Sequence, residues 1–193
     1  LIGPEISQRH IVLCGLTQSA EEIQAQAVGS ANVWRIEPRA GIAENYVETA
    51  LQCFERVREI LEERTNDRVL LQMVVADSTQ HALLLGLSGL LRTAAIENPR
   101  FIGQIILTSP GIGTTQLLSQ LQAEQAVGRS RVVRHSQGAP EVLHLQEVEV
   151  GEQPAQVAFK DEGVYLITGG LGGLGVLFAR EILSQATGAK VIL

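Results

Sequence analysis

The chain has 193 residues, of which 45% are hydrophobic and 19% are charged, and its formal net charge is −6 at pH 7. This hydrophobic fraction supports a real core and excludes wholesale disorder. The negative charge and the scattered arginines argue against nucleic acid or an anionic membrane as a partner, because such partners need a concentrated basic face.

Apolar runs rich in valine, isoleucine and leucine alternate with helical patterns over residues 10–126, which is typical of a parallel sheet covered by helices. In chain order we predict strand 10–16, helix 19–28, strand 31–38, helix 44–64, strand 68–77, helix 78–98, strand 100–109 and helix 114–126. The third strand, 68–77, is apolar almost throughout and is expected at the centre of the sheet. Segment 130–150 alternates apolar and polar residues around a turn, which predicts a hairpin or an edge pair.

Two of these helices carry patterns that predict how they pack. Helix 78–98 is apolar nearly all round between residues 82 and 91, which favours burial on more than one side. Gly86 and Gly89 within it reduce helix propensity and hint at close backbone packing. Helix 44–64 repeats apolar residues at spacings of three and four, so one face should be buried. The predicted face consists of Val47, Ala50, Leu51, Phe54, Val57 and Leu61.

A glycine-rich turn near the end of the sequence is the one motif with recognisable chemistry. Residues 151–163 combine Gly, Pro and charges and are the best linker candidate; a new strand then begins at Val164 and leads through the turn into a helix. The residues that fit the T-G-x-x-x-G-x-G form of the dinucleotide fingerprint are Thr168, Gly169, Gly170, Leu171, Gly172, Gly173, Leu174 and Gly175.

Each glycine of the fingerprint would have a physical task. Gly169 would let the chain leave the strand in a tight turn, Gly173 would let the backbone approach a pyrophosphate, and Gly175 would permit close packing of helix on strand. N–H groups and the dipole at the helix N-terminus favour phosphate charge. A glycine-rich turn that binds nothing is the alternative. The residue that reads the ribose 2′ position, expected about 20 residues later, falls at or beyond Leu193, so the pattern does not separate NAD from NADP.

The other chemistry-bearing residues predict no further site. The first strand–helix junction has a single glycine, Gly15, where the fingerprint needs three, so we expect it to bind no dinucleotide. Cys14 and Cys53 are too few for a disulfide framework and are expected to be small buried residues. The four histidines lack ligand-like spacing, so no metal site is predicted. The longest apolar run, 82–91, is too short to span a bilayer and no signal-peptide pattern opens the sequence, so a cytoplasmic location is expected.

Three features together resemble the ketoreductase region of a modular polyketide synthase. They are a first α/β half without a phosphate turn, the run "GLLRTAAIENPRF" at residues 89–101, and the restart "VYLITGGLGGLG" at residues 164–175. The resemblance implies an α/β fold: a degenerate, Rossmann-like structural subdomain with a parallel sheet and flanking helices over residues 1–158. An incomplete second Rossmann βαβ unit, 159–193, would begin the NADPH-binding catalytic subdomain. An isolated βαβ unit cannot cover both faces of its strands, so it should pack on the first half or a neighbouring chain, or be poorly ordered.

The resemblance also implies a reaction and partners. In that family the complete domain uses NADPH to reduce a β-ketoacyl thioester on an acyl carrier protein, and a tyrosine donates the proton beside a lysine four residues later. The lysines here are Lys160 and Lys190, preceded four places earlier by Gln156 and Ala186. We therefore assign no catalytic residue and expect the chain to be inactive alone. The implied partners are the remainder of the catalytic subdomain, the acyl carrier protein and neighbouring synthase domains.

Two other interpretations stay open at this point. One is a non-catalytic pseudo-ketoreductase that serves as a scaffold within a synthase module, although a scaffold has no need of three correctly placed glycines. The other is an unrelated short-chain dehydrogenase or epimerase with an N-terminal extension, against which the run at residues 89–101 argues.

Overall fold

The computed structural model describes residues 6–63, 67–136, 139–147 and 159–193. The chain divides into two units, residues 1–145 and residues 146–193. The predicted domain boundary after residue 158 adjoins residues 148–158, which lie outside the described part, and so does most of the predicted linker. That boundary stays a prediction.

The first unit is built on a six-stranded sheet with the order β2-β1-β3-β4-β5-β6. All neighbours in it pair in parallel except β5 and β6, which are antiparallel. The strands are β1 Ile6–Cys14, β2 Asn32–Ile36, β3 Arg68–Ala76, β4 Phe101–Thr108, β5 Arg131–Arg134 and β6 Glu141–Val142. The predicted α/β fold with its central third strand is confirmed, and the segment predicted as a hairpin or an edge pair forms the antiparallel pair of β5 and β6 at the edge of the sheet.

Helices cover both faces of this sheet. They are α1 Ala20–Gln26, α2 Ile42–Glu62, a 3-10 helix at Ala82–Leu87, α3 Ser88–Glu97 and α4 Thr114–Val127. One buried cluster joins alternate strand residues to α2 and α3, and another joins the opposite strand faces to α1 and α4. Cys14 and Cys53 both lie in the first cluster, as expected, and burial raises the pKa of the Cys53 thiol to about 12.

The single helix predicted over residues 78–98 is wrong in its first half. The Ser78 carbonyl accepts hydrogen bonds from the N–H groups of both His81 and Ala82, and a 3-10 helix then precedes α3. The 3-10 turns bring an added Cβ at Gly86 to 3.3 Å from the Tyr46 hydroxyl, whereas one at Gly89 would meet nothing within 4 Å. The close packing predicted for both glycines therefore applies to Gly86 alone.

The buried face predicted for α2 is shifted from the observed one. Val47, Leu51 and Phe54 are at least half exposed. The sheet instead receives a neighbouring stripe, and its members are Thr49, Cys53, Val57 and Ile60. The apolar arc of this helix is wider than its contact with the sheet, and periodicity alone does not show which part of the arc is covered.

The second unit contains two parallel strands and one helix. They are β7 Val164–Leu166, α5 Gly173–Gln185 and β8 Lys190–Ile192. Ala179 and Ile182 of α5 are buried, while Leu166 of β7 is 71% exposed. Within this unit one face of the strands is therefore left uncovered. No helix in the described part of the chain is long and apolar enough to cross a membrane.

Candidate functional site

The turn between β7 and α5 folds as two consecutive tight turns. The N–H of Gly170 donates to Ile167 O at 3.1 Å, and the N–H of Gly172 donates to Gly169 O at 2.9 Å. Gly169 has φ = 72°, a left-handed conformation that glycine adopts without the steric cost paid by other residues. The glycine expected to redirect the chain after the strand therefore has the backbone geometry that this task requires.

Two further glycines allow the turn to close on itself. A Cβ added at Gly175 would lie 2.6 Å from Gly170 O, and one added at Gly170 would lie 2.6 Å from the Leu193 Cδ2 atom. Both distances are shorter than real Cβ contacts. Gly175 was expected to permit packing of the helix on the strand. Its closest contact is instead with the backbone of the turn, so the absence of a side chain at Gly175 lets the start of the helix lie against the turn.

The N-terminus of α5 offers hydrogen-bond donors without intrahelical acceptors. The first helical bond runs from Val176 N–H to Gly172 O at 3.0 Å, so the preceding N–H groups of Gly173, Leu174 and Gly175 have no carbonyl within the helix. Gly172 caps the helix with extended backbone and no side-chain hydrogen bond. The positive end of a 13-residue helix dipole adds to these donors.

Space for a ligand exists at the same place. A Cβ added at Gly173 would meet nothing within 4 Å, so the backbone there faces an open approach. Donors, dipole and open backbone together form the kind of cradle that binds phosphate groups. The residues of this turn fit a dinucleotide pyrophosphate.

The structure places all eight predicted site residues along this one segment. Thr168 and Leu171 are exposed in the turn, and Leu174 is exposed on the first turn of α5. The five glycines supply the tight turns, the closure and the open helix start described above. Their role in cofactor binding stays a prediction.

The corresponding turn of the first unit is filled by a side chain. Gly15 follows β1 with φ = 71°, and the space where its Cβ would lie is occupied by the imidazole of His81. A hydrogen bond of 2.8 Å between Ser78 Oγ and His81 Nδ1 holds that ring in place. Sequence analysis missed the contact between Gly15 and His81 because these two residues are far apart in the chain and no local pattern links them.

Comparison with known proteins shows which proteins this chain is similar to. No family model matches it. Polyketide synthase PksL of Bacillus subtilis (strain 168) is 39% identical over 152 residues, or 79% of this chain, and PksN of the same organism is 32% identical over 188 residues, or 96% of this chain. A crystal structure of a ketoreductase domain from the bacillaene assembly line covers 97% of the chain with a TM-score of 0.74 and 24% identity. The chain is therefore related to a segment of polyketide synthases, and its fold is that of a ketoreductase domain.

These similarities concern a segment of much larger proteins. The chain spans 3% of PksL and of PksN, and 44% of the bacillaene ketoreductase structure. Polyketide synthase ThaG of Burkholderia thailandensis, 35% identical over 146 residues, is likewise matched over 3% of its length. The relatives are therefore far larger proteins, and this chain is similar to one short segment of each.

The tyrosine of the second unit makes a structural contact. The Lys160 backbone N–H donates to the Tyr165 hydroxyl at 2.7 Å, and the Tyr165 ring meets Phe159 edge-on with the ring centroids 5.8 Å apart. Tyr165 lies five residues after Lys160 rather than four before it. This contact engages the backbone of the lysine, and it does not reproduce the tyrosine–lysine pair that the ketoreductase family uses for proton donation.

Proposed function

We propose that this chain is the structural subdomain, residues 1–158, and the first cofactor-binding segment, residues 159–193, of a polyketide synthase ketoreductase. The complete domain would reduce a β-ketoacyl group on an acyl carrier protein to a β-hydroxyacyl group with NADPH. The observation that carries the proposal is the β7–α5 turn, because its open Gly173 backbone and its three N–H groups suit a pyrophosphate.

This chain's own part in the reaction would be to bind the pyrophosphate of the cofactor and thereby to orient the cofactor. NADPH, when bound to the complete domain, supplies the hydride. The N–H groups of Gly173, Leu174 and Gly175 would hold its pyrophosphate, and Gly169 and Gly170 would keep the turn narrow enough for the phosphates to reach them. Binding of the phosphates fixes where the rest of the cofactor lies, which is how a remote contact contributes to catalysis.

The rest of the chemistry requires residues from outside this chain. Neither Lys160 nor Lys190 has a tyrosine four places before it, so no proton donor of the family's type is available. The uncovered strand face of the second unit, which includes Leu166, indicates a surface that the remainder of the catalytic subdomain would bury. An acyl carrier protein and neighbouring synthase domains would be the further partners.

The scaffold interpretation is not favoured. A scaffold would need β7 and α5 to fold, but it would not need an open helix N-terminus. Gly173 distinguishes the scaffold from the cofactor-binding segment. A Cβ there would meet nothing within 4 Å, so the fold alone gives no reason for a glycine at this position.

The proposal can be tested in the complete ketoreductase polypeptide that carries this segment. Gly173→Asp places a carboxylate where the phosphates would lie, so we expect at least about a tenfold loss of NADPH affinity, measured by the change in cofactor fluorescence. Gln185→Glu, at the exposed far end of the same helix, adds the same charge and should leave the affinity unchanged. Equal affinities of Gly173→Asp and the parent, with the fold retained by circular dichroism, would refute the proposed site.

A further inference from the structure

A row of buried polar side chains crosses the α1–α4 face of the first unit's sheet. Arg9 of β1 donates from Nε and Nη2 to Gln72 Oε1 on β3, at 3.0 and 2.9 Å. Gln72 Nε2 donates to Gln104 Oε1 on β4 at 2.9 Å, and Gln104 Nε2 donates to the backbone carbonyls of Glu124 and Arg129. Both amide oxygens therefore lie on the side nearer to Arg9.

The two guanidinium groups associated with this row are compensated differently. Arg131, next to Gln104 in the strand register, is paired with the buried carboxylate of Glu124, which His135 also contacts at 3.0 Å. Arg9 is only 6% exposed, and within the described ranges no carboxylate oxygen lies within 4.0 Å of it. A buried charge is costly unless it is paired.

Hydrogen bonding of Arg9 is also incomplete. A guanidinium has five N–H donors, and the two that reach Gln72 share one amide oxygen; the described part of the chain supplies no acceptor for the other three. The carbonyl ends of α1 and α4 are on the side of Gln26 and Gln125, and their dipoles favour a cation. Partial charges of this kind attract the guanidinium, but they do not neutralise it.

Arg9 opens onto a groove between α1 and α4. The groove has a volume of about 500 Å³, and its lining contains no acidic side chain that would repel an anion. The polar groups that line it besides Arg9 are those of Gln26, Thr115, Ser119, Gln122 and Gln125. Amides and hydroxyls can donate hydrogen bonds to a carboxylate that the guanidinium attracts.

We propose that the α1–α4 groove is a carboxylate-binding site and that Arg9 recognises the carboxylate. The ligand would be either a small organic acid or an acidic side chain of a neighbouring polypeptide, and both offer the same group to the guanidinium. The site lies wholly within the first unit and involves no residue of the β7–α5 turn, so it is independent of the proposed cofactor segment.

The two sources can be distinguished by titrating the 193-residue chain with matched probes. Succinate represents a free acid, and N-acetylglutamate methylamide represents a side chain within a polypeptide; N-acetylglutamine methylamide is the uncharged control. In ¹H–¹⁵N spectra both acids should shift the Arg9 Nε–H signal and the backbone signals of Ser119 and Gln122, and the control should not. Whichever acid binds with the lower Kd identifies the type of ligand.

Two variants locate the binding. Arg9→Gln should weaken binding of the acids by roughly tenfold or more, as expected for a lost charge-assisted hydrogen bond. Gln122→Glu puts a negative charge into the groove at an exposed position, so it should also weaken binding even if Arg9→Gln fails to fold. Gln24→Glu, exposed on α1 outside the groove lining, should leave binding unchanged. The site is disproved if neither acid shifts these signals, if the uncharged control shifts them equally, or if Gln122→Glu binds the acids as well as the parent.

Discussion

The βα turn after β1 and the βα turn after β7 share a backbone conformation but differ in what surrounds it. Gly15 has φ = 71° and Gly169 has φ = 72°, so the chain leaves both strands through a left-handed glycine. The imidazole of His81 occupies the space over Gly15, whereas an added Cβ at Gly169 would meet nothing within 4 Å. The two turns therefore share a backbone conformation, but only the second has open space beside its left-handed glycine.

The two units differ in the same sense. In the first unit helices cover both sheet faces, and the buried side chains of Gln72 and Gln104 are hydrogen-bonded to each other across the strands. In the second unit the open turn is attached to strands with one uncovered face, including Leu166. The unit with the open glycine-rich turn is thus the unit with an uncovered strand face, whereas helices cover both faces of the sheet in the first unit.

The largest expected effect tests how far the first unit depends on its buried pairs. Glu124→Gln removes the only charge that pairs with Arg131 among the described residues. The partly buried guanidinium of Arg131 is then left without a charged partner. We expect the free energy of unfolding to fall by about 3–5 kcal/mol, measured by urea unfolding. Glu59→Gln, which breaks the exposed pair with Arg56, should cost less than about 1 kcal/mol. Similar losses for the two variants would contradict the view that the first unit is held by its interior.

The next prediction compares two glycines of the β7–α5 turn, one that packs against the turn backbone and one that faces open space. Gly175→Ala would place a Cβ 2.6 Å from Gly170 O, and backbone cannot move aside cheaply, so we expect a loss of about 1–3 kcal/mol in the unfolding free energy of the complete ketoreductase. Gly173→Ala has open space and should leave stability unchanged or raise it by up to about 1 kcal/mol. Equal destabilisation by the two substitutions would mean that Gly173 also serves the fold.

Sequence patterns predicted local features well and failed where distant residues meet. The apolar run of β3 predicted its central place in the sheet, because a strand buried on both faces has few polar positions. The β7–α5 turn was found because all of its glycines lie within eight consecutive residues. The contact of His81 with Gly15 and the row from Arg9 to Gln104 were not, because each joins segments that only the folded sheet brings together.

The α2 error has a related physical cause. The helical period predicts that Val47, Leu51 and Phe54 share a face with buried residues, and they do lie beside them. How much of that face is covered depends on the width of the sheet and on the position of α3, neither of which is encoded in the helix itself.

A smaller effect tests the filled turn directly. Gly15→Ala and Gly169→Ala each force alanine into a left-handed conformation, which costs about 1–2 kcal/mol, but only the first also displaces His81. We expect Gly15→Ala to cost about 1 kcal/mol more, and this excess should disappear in the His81→Ala background, as a double-mutant cycle on unfolding free energies would show. Persistence of the excess without the imidazole would mean that something other than His81 fills the turn.

The smallest effect concerns the pH response of the first unit. His10 is buried, and neither ring nitrogen has a hydrogen-bond partner among the described residues. Desolvation and the nearby Arg56 charge lower the pKa of His10, and Glu59 and Glu63 only partly oppose them. The neutral ring meets Trp34 edge-on, with the centroids 6.2 Å apart.

The sign of this response follows from where the proton binds. Below pH of about 6.5 the unfolded chain protonates His10 while the folded chain does not, so stability should be independent of this group above that pH and should fall as the pH decreases, until the lowered pKa of the folded state is reached. The slope cannot exceed about 1.4 kcal/mol per pH unit. Urea unfolding of the parent and of His10→Phe between pH 5 and 8 measures it, since the difference between the two profiles isolates His10 from the other histidines. A difference between the two profiles that stays constant across this range, or that favours the parent at low pH, would contradict this prediction. It would show that the folded protein accommodates the charged His10 ring.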